Sequence, residues 1–161
     1  MGMNTVDTSR ADVINASARL GLQIQSMVPP CPWQANASAP EPGCMRRMET
    51  TWASMPQLHH LSILGGDDGP TVLPPAEQLG VVKAFSNTVR KYHPGATVWV
   101  SLQEYSEANL TTFAKLLSDP TATTWLTGLV YGPHVRFPME KFLAEVGPSL
   151  PVLQYPDTCH P

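Results

Sequence analysis

Two periods alternate strictly along this chain, and that alternation constrains its fold more than any other feature. Stretches whose apolar residues fall on one face of a helix take turns with short apolar, β-branched runs. Residues 9–20 (SRADVINASARL) read as a helix, with Ser9 as cap and Gly21 to end it. Residues 22–28 (LQIQSMV) then alternate as a strand. Residues 44–55 return to helical spacing, with Met48, Trp52 and Met55 on one face and Pro56 as the stop. The remaining strands are 59–66 (HHLSILGG), 96–102 (ATVWVSL), 125–132 (WLTGLVYG) and 150–157 (LPVLQYPD). The helices between them are 75–95, 106–119 and 137–147. The first carries the stripe Leu79, Val82, Phe85 and Val89. The second is capped by Ser106, with Leu110, Phe113 and Leu117 on one face.

Strict alternation with apolar strands predicts an α/β fold of parallel strands covered by helices, joined by right-handed crossovers. Two architectures satisfy it. One is a partial (β/α)8 TIM barrel of about five strands. The other is an open, doubly wound five-stranded sheet. A whole barrel takes roughly 250 residues, and this chain has 161. The expectation is therefore a single α/β domain over 1–161, part of a larger barrel, with a Pro/Ala-rich loop insertion at 29–43.

Composition narrows the partners. Only 14% of residues are charged, and the net charge is −3. No basic stripe is present, so nucleic acid and anionic membrane are not expected. No apolar run approaches the roughly 20 residues that span a bilayer. The N-terminus MGMNTVDTSRADVI is too polar for a signal peptide. Cys31, Cys44 and Cys159 lack metal-type spacing. A Cys31–Cys44 bridge across the proline-rich loop and free thiols both fit the count. Sequons stand at Asn15, Asn36 and Asn109.

In either architecture, chemistry collects where strands end. The expected rim holds Trp33 after the first strand, Asp67 and Asp68 after the second, and Gln103 and Glu104 after the third. Tyr131, His134 and Arg136 follow the fourth, and Tyr155, Asp157 and His160 the fifth. The opposite edge is bland, and His59-His60 read there as packing residues. Asp67 and Asp68 sit among glycines that free both side chains to turn toward one cleft. Two close carboxylates drive their pKa values apart, which suits acid/base work on a glycosidic bond. Asp68-Gly69-Pro70 equally reads as turn chemistry. G-x-G-x-x-G and Walker patterns are absent, and Asp157-x-x-His160 has no third partner fixed by spacing. No cofactor and no metal are expected.

The segments GGDDGPTVLPP, YHPGATVWVSLQEYS, VYGPHVRF and QYPDTCHP occur in that order. Together they resemble a family of glycoside-hydrolase-like TIM-barrel proteins, mostly uncharacterised, with GGDPGH, YHP…WVSPQ, GPWVR and YPDITH motifs. The likeness covers roughly residues 58–161. Asp68, Pro70 and His134 stand where the family pattern has proline, histidine and tryptophan. The resemblance implies a carbohydrate-active barrel, N-acetylhexosaminidase- or hyaluronidase-like, that continues beyond Pro161. The positions it matches include Asp67, Gln103, Arg136, Tyr155, Asp157 and His160; taken with the strand-end rim, the catalytic candidates are Asp67, Glu104 and Asp157. Asp68, Gln103, Tyr131, His134, Arg136, Tyr155 and His160 would hold the substrate. The alternative is a non-catalytic α/β domain that binds carbohydrate or another small molecule. Oligomeric state is not legible.

Overall fold

The fold is described from a computed structural model covering residues 5–7, 10–65, 73–119, 121, 124–132, 135–147 and 150–154. Among the described residues eight strands and five α-helices follow one another: β1 (Thr5–Asp7), α1 (Ala11–Arg19), β2 (Gln23–Val28), β3 (Trp33–Gln34), β4 (Ala39–Pro40) and α2 (Pro42–Ser54). Next come β5 (His60–Ile63), α3 (Pro75–Tyr92), β6 (Thr97–Ser101), α4 (Glu107–Leu117), β7 (Gly128–Tyr131), α5 (Met139–Val146) and β8 (Val152–Gln154).

Six strands form one sheet in the order β1-β2-β5-β6-β7-β8, and every pairing is parallel. The five expected strands are all present. The sixth, β1, was not expected, because TVD is too short to show alternation. It is defined by its register against β2, Thr5 opposite Gln23. The order never reverses. Among the described residues the strands are added in one direction, an order consistent with part of a barrel wall or with an open sheet.

One-directional order with right-handed crossovers carries the helices to one face. There α2 packs on α3, α3 on α4, and α4 on α5. The covered face holds Ile24, Val28, Leu61, Ile63, Val98, Val100 and Leu129, all buried in a single core with Trp52, Phe85, Phe113 and Phe142. The predicted stripe Leu79, Val82, Phe85 and Val89 is buried along α3. Between these positions Gln25, Met27, His60, Ser62, Thr97 and Trp99 point the other way and are only half-buried. Parallel sheets are normally covered on both faces. Among the described residues no helix lies on this second face.

Local chemistry sets most helix ends. Ser106 caps α4 by accepting from the Asn109 N–H at 3.2 Å. Gly21, at φ +67°, ends α1 in the left-handed region. The expected Ser9 cap is a difference: the N-cap residue of α1 is Arg10, which makes no side-chain cap bond. Glu41 caps α2, accepting from the Gly43 N–H at 2.7 Å and from the Cys44 N–H. Those two bonds hold its carboxyl below the usual range.

The 29–43 loop is more ordered than its composition suggests. It folds into an antiparallel hairpin, β3 with β4, around a short turn at Ala35–Ala37. Cys31 and Cys44 are disulfide-bonded, with Cα atoms 5.8 Å apart, and tie the hairpin to the first turn of α2. Trp33 lies against Gly80 of α3, where a Cβ would stand 2.5 Å from the indole. Trp33, placed on the expected rim, therefore anchors the hairpin to a helix. Within the hairpin turn, residues 35–38 are all exposed, so the Asn36 sequon is wholly at the surface. In the Asn15 sequon Ser17 is buried, and in the Asn109 sequon Leu110 is buried.

Candidate functional site

Parallel strands put all their carboxyl ends on one side, so the chain leaves β5, β6 and β7 along one edge. The best-defined part of that edge is the exit from β6. Beyond Ser101 the chain turns at once, and the Tyr105 N–H donates to the Leu102 carbonyl at 3.3 Å. Gln103 and Glu104 are the two central residues of this turn. Glu104 has φ +62°, in a turn position that favours glycine. A glutamate there is strained by about 1–3 kcal/mol, and such strain gathers at functional sites.

Two neighbours brace the turn. Gly65, just past β5, packs so closely that a Cβ on it would stand 2.2 Å from the Ser101 carbonyl oxygen and 3.2 Å from the Gln103 nitrogen. Steric room explains this glycine. From the other side Arg136, in the loop after β7, forms an ion pair with the Glu104 carboxylate. The Arg136 side chain is 69% exposed and that of Glu104 is 23% exposed. A pair this close to water adds about 0–1 kcal/mol to stability. What it provides is position, because it links the β6 and β7 loops.

Strand β6 also ends in a run of unsatisfied polar atoms. Ser101 Oγ, Gln103 Oε1 and Tyr105 Oη are buried and make no hydrogen bond. Buried polar atoms are nearly always partnered, so each exception calls for a cause. Tyr105 packs edge-on against Phe113 of α4, with ring centres 5.8 Å apart. Burial pushes its phenol far above the ordinary value, so it stays protonated.

Sequence reasoning selected Gln103, Glu104 and Arg136, and the fold brings them to one edge. Glu104 and Arg136 are in direct contact. Tyr131 also lies at this edge, but its hydroxyl donates to the Phe137 carbonyl at 2.9 Å and its ring packs edge-on against Phe142. Its contacts shape the loop after β7. Ser101 was missed. Its only signal was the alternation of Thr97, Trp99 and Ser101, and that reads as strand, not site. Asp67, Asp68, His134, Tyr155, Asp157 and His160 lie outside the described residues. Among the described residues no group of three or more His, Cys, Asp or Glu could hold a metal ion. No described helix is long and apolar enough to cross a membrane.

The amino edge is built differently. His59 Nδ1 accepts from the Ile24 N–H at 2.9 Å, and its Nε2 meets Gln57 Nε2 at 2.9 Å. His60 meets Thr97 Oγ1 and Gln23 Oε1, each at 2.7 Å. The Trp99 indole N–H donates to the same Thr97 hydroxyl at 2.9 Å. Desolvation, with His59 nearby, lowers the His60 pKa from its ordinary value. The packing role expected of these histidines corresponds to this network across β2, β5 and β6. An open groove of about 510 Å³ lies elsewhere, lined by Arg46, Glu49, Thr50, Ala53, Ser54 and Tyr92 on α2 and α3. Its lining includes none of the residues after β5, β6 or β7. Glu49 there is engaged by Lys91 and Tyr92.

Comparison with protein-family models, with curated proteins and with solved structures found no match.

Proposed function

We propose that this chain is part of a glycoside-hydrolase-like, carbohydrate-active protein that takes its ligand at the carboxyl edge of the sheet. The observation that carries this reading is the exit of β6. A glutamate held in left-handed backbone is linked by Arg136 to the next loop, beside a buried carboxamide with a free acceptor. One-directional strand order supports it, because the wall of a barrel is built in that order and barrel sites sit at this edge; an open sheet also gathers its ligand at this edge. The four motifs that resemble the family fall on or next to the same loops.

The reaction under this reading is cleavage of a glycosidic bond through an oxocarbenium-like transition state. Asp67 is the acid/base candidate contributed by the loop after β5, with Asp157 as its partner. Glu104, engaged by Arg136, accepts hydrogen bonds and orients substrate. Gln103 and Arg136 hold hydroxyl or acetamido groups. The protein is assayed on aryl glycosides, including N-acetylglucosaminides, alongside Asp67→Asn and Glu104→Gln. Turnover that falls by at least two orders of magnitude in Asp67→Asn supports hydrolysis. Equal rates remove Asp67 from the mechanism.

The second reading is a non-catalytic carbohydrate-binding domain using the same edge. The pairing of Glu104 with Arg136 favours it, since that carboxylate is committed to positioning. Sugar binding without turnover across the panel decides for this reading.

A further inference from the structure

The uncovered face of the sheet carries a row of polar side chains, and the row changes character along β6. In its first tiers every polar partner is found within the sheet. Gln25 Nε2 donates to Ser62 Oγ at 3.2 Å, and Gln23, His60, Thr97 and Trp99 form one chain of hydrogen bonds. The last tier breaks the pattern. Ser101 continues the alternation of Thr97 and Trp99, and Gln103 follows two residues later. Each side chain is only 4% exposed. Ser101 Oγ and Gln103 Oε1 have no partner. Leaving buried polar atoms unmet costs stability, while an apolar residue of the same shape does not. Serine and glutamine stand where alanine and methionine would carry no such cost.

We propose that Ser101 and Gln103 form a neutral hydrogen-bonding subsite that selects an uncharged polyhydroxyl ligand. The inference rests on the carbohydrate reading above and deepens it. The Gln103 carbonyl oxygen accepts from a ligand O–H or N–H, and the Ser101 hydroxyl donates to or accepts from a neighbouring ligand oxygen. Adjacent hydroxyls on a sugar ring present that pair of groups. A phosphate or carboxylate does not, because it has no donor for Gln103. The Glu104–Arg136 pair beside the subsite is balanced in charge, so it adds no attraction for an anion. Gly65 backs the peptide between Ser101 and Gln103, and the turn at Glu104 fixes where Gln103 begins.

The test uses Ser101→Ala and Gln103→Met in the same chain. Each variant is measured twice: Tm without ligand, and Kd for N-acetylglucosamine and for glucose by NMR titration, with glucose 6-phosphate as the charged comparison. The subsite predicts an unchanged or higher Tm for each variant. It predicts sugar affinity weakened about tenfold or more per substitution, and a parent that prefers the neutral sugars to glucose 6-phosphate. A fall in Tm of several degrees overturns the proposal, since the two groups would then be structural. Sugar binding that neither substitution weakens overturns the subsite and leaves the carbohydrate reading standing. A parent that prefers glucose 6-phosphate overturns the neutral selection. A parent that binds neither neutral sugar overturns the carbohydrate reading, and the subsite falls with it.

Discussion

The two edges of the sheet treat polar side chains in opposite ways. At the amino edge Gln23, His60, Thr97 and Trp99 satisfy one another, and His59 is held by the Ile24 N–H and Gln57. At the carboxyl edge Ser101, Gln103 and Tyr105 bury polar atoms with no partner, and Glu104 sits in backbone that favours glycine. The same strand, β6, belongs to both. The first arrangement adds to stability and the second subtracts from it. In barrels the amino face is the stabilising one and the carboxyl face the active one. On the barrel reading proposed above, the contrast within β6 corresponds to that division at the level of single hydrogen bonds.

The sharpest way to break the contrast is at Gly65. Gly65→Ala puts a methyl 2.2 Å from the Ser101 carbonyl oxygen, and β5 must part from β6 at the carboxyl edge. A loss of about 3 kcal/mol is expected in denaturant unfolding. Hydrogen exchange should rise first at residues 101–105, with the His60 network still protected. A loss below about 1 kcal/mol would mean that the two loops slide apart freely.

Next in size is the Cys31–Cys44 bridge, which closes a loop with a sequence separation of 13. Cys31→Ser with Cys44→Ser is expected to cost about 3 kcal/mol on the chain-entropy estimate. The effect belongs to the carboxyl side, where the hairpin docks Trp33 on Gly80. Trp33 fluorescence should change before global unfolding. If it does not, the hairpin holds without its bridge.

At the amino edge His60→Ala removes bonds to both Thr97 and Gln23. About 2 kcal/mol should be lost, at roughly 1 kcal/mol per bond. Ligand affinity should not move. At the carboxyl edge Glu104→Gly should act with the reverse sign. Relief of the left-handed strain outweighs a surface ion pair, so Tm should rise, by about 1 kcal/mol of stability or less, while sugar affinity falls. A destabilised Glu104→Gly would remove the strain argument.

The smallest effect is a dependence on pH. The His60 pKa lies below its ordinary value of 6.5, chiefly through desolvation. The folded protein therefore binds fewer protons at this site than the unfolded chain. That contribution is complete above about pH 6.5 and is lost as pH falls through the lowered native value. Stability measured across the acidic range should drop more steeply in the parent than in His60→Gln. Identical slopes would place the acid sensitivity elsewhere.

Much of the fold was legible because its periods are local. The stripe on α3, the Ser106 cap and the five strands starting at β2 each follow from neighbours in the chain. β1 was not legible, because three residues show no alternation and only pairing with β2 makes them a strand. The partner of Cys31 was also hidden, since spacing allows both a bridge and free thiols. At the site, position after a strand was enough to pick out Gln103 and Glu104. It was not enough for Ser101, which is a strand residue by every local criterion.

What the sequence determined by itself is the α/β alternation, the apolar stripes and the polar rim of strand-end loops, all short-range properties of spacing and residue type. Tertiary structure alone decided the rest: the one-directional strand order, the bridge at Cys44, the link from Glu104 to Arg136, and which buried polar atoms find a partner. Each of these joins residues distant in the chain, and hydrogen bonds across such distances depend on register and packing that no local pattern carries.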